Sequence, residues 1–195
     1  MKLLKYLFLF CILSISQAYA GTTWKFDKSH TSITFNVSHM VITTVTGKFH
    51  DFDGSVTSDK DDFQDAKIEF KVETKSVDTD NLNRDSHLKT NDFFASDKYP
   101  EMTFKSTSFQ KIKGKKYKLT GDFTIRDVTK NITLDVDYNG SVTDQRGNVH
   151  AGFRLSGEID RFDFNMKWDK TLDAGGLIAG REVELICNVE LIKQK

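Results

Sequence analysis

The feature that most constrains this chain is an alternation of apolar and polar residues, period two, that recurs along most of its length. In TSITFNVSH, Ile33, Phe35 and Val37 alternate with Ser32, Thr34, Asn36 and Ser38. In KIEFKVETK, Ile68, Phe70 and Val72 alternate with Lys67, Glu69, Lys71 and Glu73. The pattern returns at Tyr117, Leu119, Phe123 and Ile125, and again at Ile132, Leu134, Val136 and Tyr138. It returns twice more, at Val149, Ala151, Phe153, Leu155 and Ile159, and at Val183, Leu185, Cys187, Val189 and Leu191. Side chains alternate across a strand, so each such segment buries one face and wets the other. Lys113-Gly114, Asn139-Gly140 and Arg146-Gly147 are read as the turns between strands. A change of phase between Phe49 and Phe52 predicts a bulge or sharp bend. About eight such strands must dispose of their edges, and closing the sheet does so. The expected fold is therefore all-β, an antiparallel barrel of about eight strands, with a sandwich as the alternative. A barrel of that size can enclose one small ligand or fill itself with side chains.

The N-terminus has a different character. Lys2 and Lys5 precede a short apolar run to Ile15, and Ala18-Tyr19-Ala20 has the form of a cleavage site. Residues 1–20 read as a signal peptide cut after Ala20, which leaves 21–195 as one domain and marks the mature chain as exported. An uncleaved anchor is the rival reading. Removing Lys2 and Lys5 from 28 basic residues leaves 26 against 28 acidic ones. A net charge near −2 argues against nucleic acid as a partner. Cys11 leaves with the signal, so Cys187 stands alone and no internal disulfide forms.

Two stretches depart from the strand pattern, 79–96 and the Gly-rich 173–180. The first contains NLNRDSHLKTNDFF, which sets Arg84, Asp85 and His87 among Leu82, Leu88, Phe93 and Phe94. No motif of catalysis or metal binding is complete. Asp27, Ser29 and His30 hold the residue types of a hydrolase triad, but triad partners meet through the fold and not as sequence neighbours, so turn bonding is favoured. The five histidines form no H-x-H or H-E-x-x-H, and the glycines of 175–180 form no nucleotide-binding loop. Neither a metal nor a cofactor is expected. His39 shares parity with Ile33, Phe35 and Val37; it is read equally as a bonded core histidine or as a polar contact in a pocket. Lys111, Lys113, Lys115, Lys116 and Lys118 are read as a hairpin tip that blocks edge pairing, with transient attraction to an anionic membrane surface as the other reading. Arg161 in RFDFNMKW is expected to pair with a neighbouring carboxylate, Asp163 being the one at hand.

The segments WKFDKSHTSITFNVSHMVITTVTGKFHDFDG (24–54), DTDNLNRDSHLKTNDFFASDKYPEMTFKS (78–106), GDFTIRDVTKNITLDV (121–136) and GFRLSGEIDRFDFNMKW (152–168) resemble the YceI-like family, from about Trp24 to the C-terminus. The resemblance implies a lipocalin-like barrel, exported to the periplasm, that binds a polyisoprenoid or other long-chain amphiphilic lipid and is not an enzyme. Within that frame Phe35, Val37, Phe70, Phe104, Phe123 and Phe153 are expected to line an apolar tunnel. Residues 81–91 are expected to form a short helical cap over its mouth, with Asp80 or Asn81 as the N-cap and Leu82 and Leu88 packed on the barrel. Phe93 and Phe94 would extend that contact, while His39, Arg84 and His87 would meet a polar lipid head. The alternatives are a stress-related interaction protein with a self-filled barrel, or an enzyme with an unrecognised site; homodimer formation stays open.

Overall fold

The computed structural model describes residues 21–173 and 175–194. The proposed signal peptide, 1–20, lies outside the described residues. Eleven strand segments share eight lanes of one closed antiparallel sheet. β1 (Thr23–Phe26) and β2 (Ser32–His39) are successive halves of the first lane, and β4 (Phe52–Thr57) and β3 (Thr43–Phe49) pair with them in turn. β5 (Lys67–Glu73) pairs with β4, and the two-residue β6 (Val77–Asp78) pairs with β3. β7 (Glu101–Lys113), β8 (Lys116–Ile125), β9 (Val128–Thr143), β10 (Val149–Asp160) and β11 (Ala179–Lys193) then follow in order. Closure comes at β11, whose free edge pairs with β2 over one half and with β1 over the other. Among the described residues the ring thus closes on itself, which is the requirement the alternating pattern imposed.

The lanes break where the sequence changes phase. His50 and Asp51 separate β3 from β4, so Phe49 and Phe52 both turn inward, at 7% and 6% exposure. Lys113-Gly114 and Arg146-Gly147 are turns, with φ of 57° at Gly114 and 81° at Gly147. Asn139-Gly140 is not. It lies inside β9, opposite a register shift at Gly152/Phe153, and its glycine at φ 123° accommodates a bulge. The pair carries a turn's residue types because a bulge demands the same unusual backbone. The hairpin between β8 and β9 instead turns at Arg126, which takes φ 58° without being glycine or asparagine.

Two inward faces make two core clusters, one toward each end of the barrel. The far end is plugged. Phe63, 2% exposed, sits in the loop after β4 and packs its ring against Trp24 at 4.9 Å and Phe153 at 5.0 Å. Asp65 holds that loop by accepting hydrogen bonds from Ser58 Oγ and the Asp59 amide. The acidic run 58–62 thus belongs to the loop that seats the plug.

Cys187 lies on the inward face of β11, as its parity with Leu185 and Val189 requires, and its side chain borders cavity space. Burial raises its thiol pKa to about 12 from 9.0. At a fixed neutral pH that is about a thousandfold less thiolate, and thiolate is the reactive form. A disulfide reagent added to folded protein is expected to react at least a hundredfold more slowly than after unfolding in guanidinium. Equal rates would mean that β11 is out of register by one residue.

Candidate functional site

The inward faces leave two chambers, one beyond the other in the barrel, separated by side chains that border both. The deep chamber, about 150 Å³, runs from the Phe63 plug to mid-barrel and is walled by aliphatic and aromatic side chains. The outer chamber, about 220 Å³, lies under the helical segment. Phe35, Phe49, Met102, Phe123 and Leu185 border both, so they form the neck between them. Glycine makes room for the rings. A Cβ at Gly47 would lie 2.2 Å from Phe35 Cζ, and one at Gly121 would lie 2.4 Å from Phe104 Cζ. Both phenylalanines lie over a glycine on the neighbouring strand, which keeps them against the wall and the axis open.

All the tunnel phenylalanines expected from sequence border these chambers. Phe70, Phe104 and Phe153 line the deep one, Val37 and His39 the outer one, and Phe35 and Phe123 both. Arg84, His87, Phe93 and Phe94 also line the outer chamber, brought there by the interruption between β6 and β7. That interruption contains the helix α1 (Leu82–Leu88). Asn81 is its N-cap, accepting from the Arg84 amide at 3.1 Å. One expectation fails: Leu88 packs against the core, but Leu82 is 85% exposed. Asp85 decides the helix's orientation. It is buried and accepts hydrogen bonds from the Thr79 amide at 2.9 Å and the Thr79 hydroxyl at 2.6 Å, which leaves the preceding turn in solvent.

The polar groups at this mouth are individually held. Arg84 forms no ion pair with Asp85 or Asp92; its Nε donates to Thr79 Oγ1 at 2.7 Å and its Nη2 to the Thr79 carbonyl at 2.8 Å. His87 Nε2 lies 2.7 Å from Asp92 Oδ2, and its ring meets Phe93 and Trp168 edge-on at 5.1 and 5.5 Å. Trp168, which the sequence reading did not assign to the cavity, therefore helps wall the mouth.

Arg161 also corrects the reading from sequence. It does not pair with Asp163. Its guanidinium, 3% exposed, donates to four backbone carbonyls: Gly180 at 2.8 Å, Met166 at 2.5 Å, Trp168 at 2.7 Å and Ala179 at 3.0 Å. Asp160 takes Arg181 instead. Burial lowers the Arg161 pKa from its ordinary value, opposed by the nearby Asp160 carboxylate. The residue borders the outer chamber and joins the single-turn helix 161–164, the strand-free 165–168 and the start of β11. Arg126, at the β8–β9 turn, likewise donates from one nitrogen to the carbonyls of Asn165 at 2.7 Å and Phe93 at 3.3 Å. The two arginines tie the segments around the mouth together through carbonyls. Sequence spacing could not show this, because a carbonyl acceptor has no residue signature.

Residues 24–191 match the family described as YceI-like domain. The chain belongs to the YceI-like family. A UPF0312 protein of Pectobacterium carotovorum is 38% identical over 186 residues, covering 94% of this chain and 93% of that one. The solved structure of a Campylobacter jejuni YceI protein is 33% identical, with a TM-score of 0.69 over 81% of this chain and 90% of that chain. A polyisoprenoid binding domain from Saccharophagus degradans shares the fold at 10% identity, with a TM-score of 0.64 over 88% of this chain and 98% of that one. YceI-like membership accounts for the eight-lane barrel and its short helix.

Proposed function

We propose that this YceI-like barrel holds a long-chain lipid of isoprenoid type, with the tail in the deep chamber and the head among His39, Arg84 and His87. The observation that carries the proposal is the pair of apolar chambers set between a plugged end and a mouth where the polar side chains gather. A domain of the same fold from Saccharophagus degradans is described as polyisoprenoid binding, which supports the class of guest. The Phe63 plug makes the mouth the route of entry and exit, so a long chain folds back or protrudes. We further place the protein in the periplasm, where its N-terminal signal would send it, as a carrier or store and not as an enzyme.

Loading from a membrane would use the mouth. The lysine hairpin is at the wrong end: Lys113 and Lys116 pair at one end of β7 and β8, while Met102 and Ile125, near the other ends of those strands, border the outer chamber. The β2–β3 turn instead offers Val41 at 71% exposure and Ile42 at 82%, next to His39 in the chamber wall. Such exposed apolar residues suit contact with a bilayer.

One observation favours the self-filled alternative. A cavity near 150 Å³ suits a guest the size of benzene, so a long tail needs the neck rings and Met102 to move. Trp168 reports on this directly. In a Trp24→Phe background, adding a polyprenyl lipid with a polar head is expected to change Trp168 emission and saturate at one equivalent. His87→Ala should weaken that binding by ~1.5–3 kcal/mol, the range for hydrogen bonds with a charged group, and leave a headless hydrocarbon unaffected. Arg84→Ala is the poorer probe, because it also removes two bonds to Thr79. No emission change with either ligand would reject lipid uptake through the mouth.

A further inference from the structure

A second cluster of chemistry lies on the outside of the barrel, unconnected with the cavity. It is built where β11 changes partner. Phe26 pairs with Leu191 and Ser32 with Asn188, so the five residues from Asp27 to Thr31 stand opposite only two, Val189 and Glu190. The surplus residues bow outward. Val189 and Leu191 line the deep chamber, and Glu190 between them faces away from it, as strand alternation requires.

Three side chains converge there, Asp27, His30 and Glu190, and His150 joins them through Glu190. His30 Nδ1 is 3.0 Å from Asp27 Oδ2 and 4.0 Å from Glu190 Oε1, and Glu190 Oε1 is 2.7 Å from His150 Nδ1. One donor atom from each of Asp27, His30 and Glu190 lies within 4.8 Å of the others. Zinc–nitrogen and zinc–oxygen bonds put two ligands of a tetrahedral ion roughly 3.3 Å apart, and the observed gaps bracket that spacing.

We propose that Asp27, His30, Glu190 and His150 form a binding site for a divalent transition metal, with zinc as the representative ion. Two imidazoles and two carboxylates match a borderline cation and not the all-oxygen shell of calcium. Together the two carboxylates offset the ion's charge. The scaffold is fixed before any ion arrives. The Glu190 carbonyl accepts from the Asp27 amide at 2.8 Å, and the Glu190 amide donates to Thr31 Oγ1 at 3.1 Å. Behind His150, Asp144 Oδ2 lies 3.3 Å from Nε2, the ring nitrogen turned away from the site. Metal-bound histidines commonly hand their second nitrogen to a carboxylate, which orients the ring. Asp144 is itself held by the amides of Arg146 and Asn148, at 2.8 Å each. A bound ion would join the β1–β2 bend to β10 and β11 across the seam that closes the barrel.

Calorimetric titration of the untagged mature chain with zinc chloride, and separately with calcium chloride, tests this. One equivalent of zinc should bind with micromolar or tighter affinity, and calcium should not. His30→Gln and His150→Gln should each weaken zinc binding at least tenfold, and Asp144→Asn about 10–100-fold. His30 is the deciding position. Its side chain is 65% exposed, so the melting temperature in EDTA should match wild type while zinc no longer raises it. Absence of zinc binding, equal binding of calcium, or unchanged zinc affinity in both histidine variants would overturn the proposal and leave the cluster as an ion-pair network.

Discussion

Arg161→Leu is expected to lower stability by on the order of 3–5 kcal/mol, because it strands carbonyls that one guanidinium now satisfies. Each buried acceptor left without a partner costs ~1–3 kcal/mol, and four such acceptors converge on this side chain. Local relaxation will let water reach some of them, so the costs will not add in full. For a chain of this length each kcal/mol moves the melting temperature by roughly 2–4 °C. Thermal unfolding followed by far-UV circular dichroism should therefore show a fall of ~6–20 °C. Arg161→Lys keeps the charge but cannot present a planar fork to several carbonyls at once. It should recover only part of the loss. A Leu variant melting within 2 °C of wild type would show that these bonds do not hold the mouth together.

The way Arg161 was misread shows where sequence stops being informative. Alternation specified the inward face of nearly every strand, because burial of one face is a property of single residues at fixed spacing. Phe35, Phe70, Phe123 and Phe153 could be placed in the cavity on that ground. The bent lane at His50–Asp51 was legible for the same reason, since the apolar phase changes there. Arg161 and Arg126 were not, because their partners are main-chain carbonyls. Leu82 was misplaced because a helix of two turns is oriented by a few tertiary contacts, among them Arg84 on Thr79 and Leu88 on the core. The buried Asp85 on Thr79 is the central one, and no periodicity encodes that contact. Asn139-Gly140 looked like a turn because bulge and turn select the same residues. Glu190 and His150 were separated by 40 positions and came together only through the pairing of β10 with β11.

The largest expected effect on binding comes from the neck. Leu185 borders both chambers and faces Phe35 across the β2–β11 pairing. Leu185→Trp adds a rigid ring at the point through which a tail must pass. Overpacking a filled core costs ~1–3 kcal/mol, but here chamber space on either side of the side chain can take the added volume. The fold should therefore persist, with a melting temperature within several degrees of wild type. Retention of a polyprenyl lipid should fall at least tenfold, because the deep chamber supplies most of the apolar contact. Small hydrocarbons confined to the outer chamber should bind as before. If the variant keeps its long-chain lipid at full occupancy, the tail does not run through the neck, and the deep chamber is core and not a binding site.

The central claim, that the barrel carries a lipid, is tested most directly by native mass spectrometry of the untagged chain purified from the cells that make it, followed by organic extraction. The expected result is a one-to-one adduct that survives gentle desolvation, is released by solvent as a long-chain apolar lipid, and is much reduced in Leu185→Trp. A chain that flies at its bare mass, yields no lipid on extraction and takes up no polyprenyl lipid when offered one would contradict the account and identify the interior as self-filled.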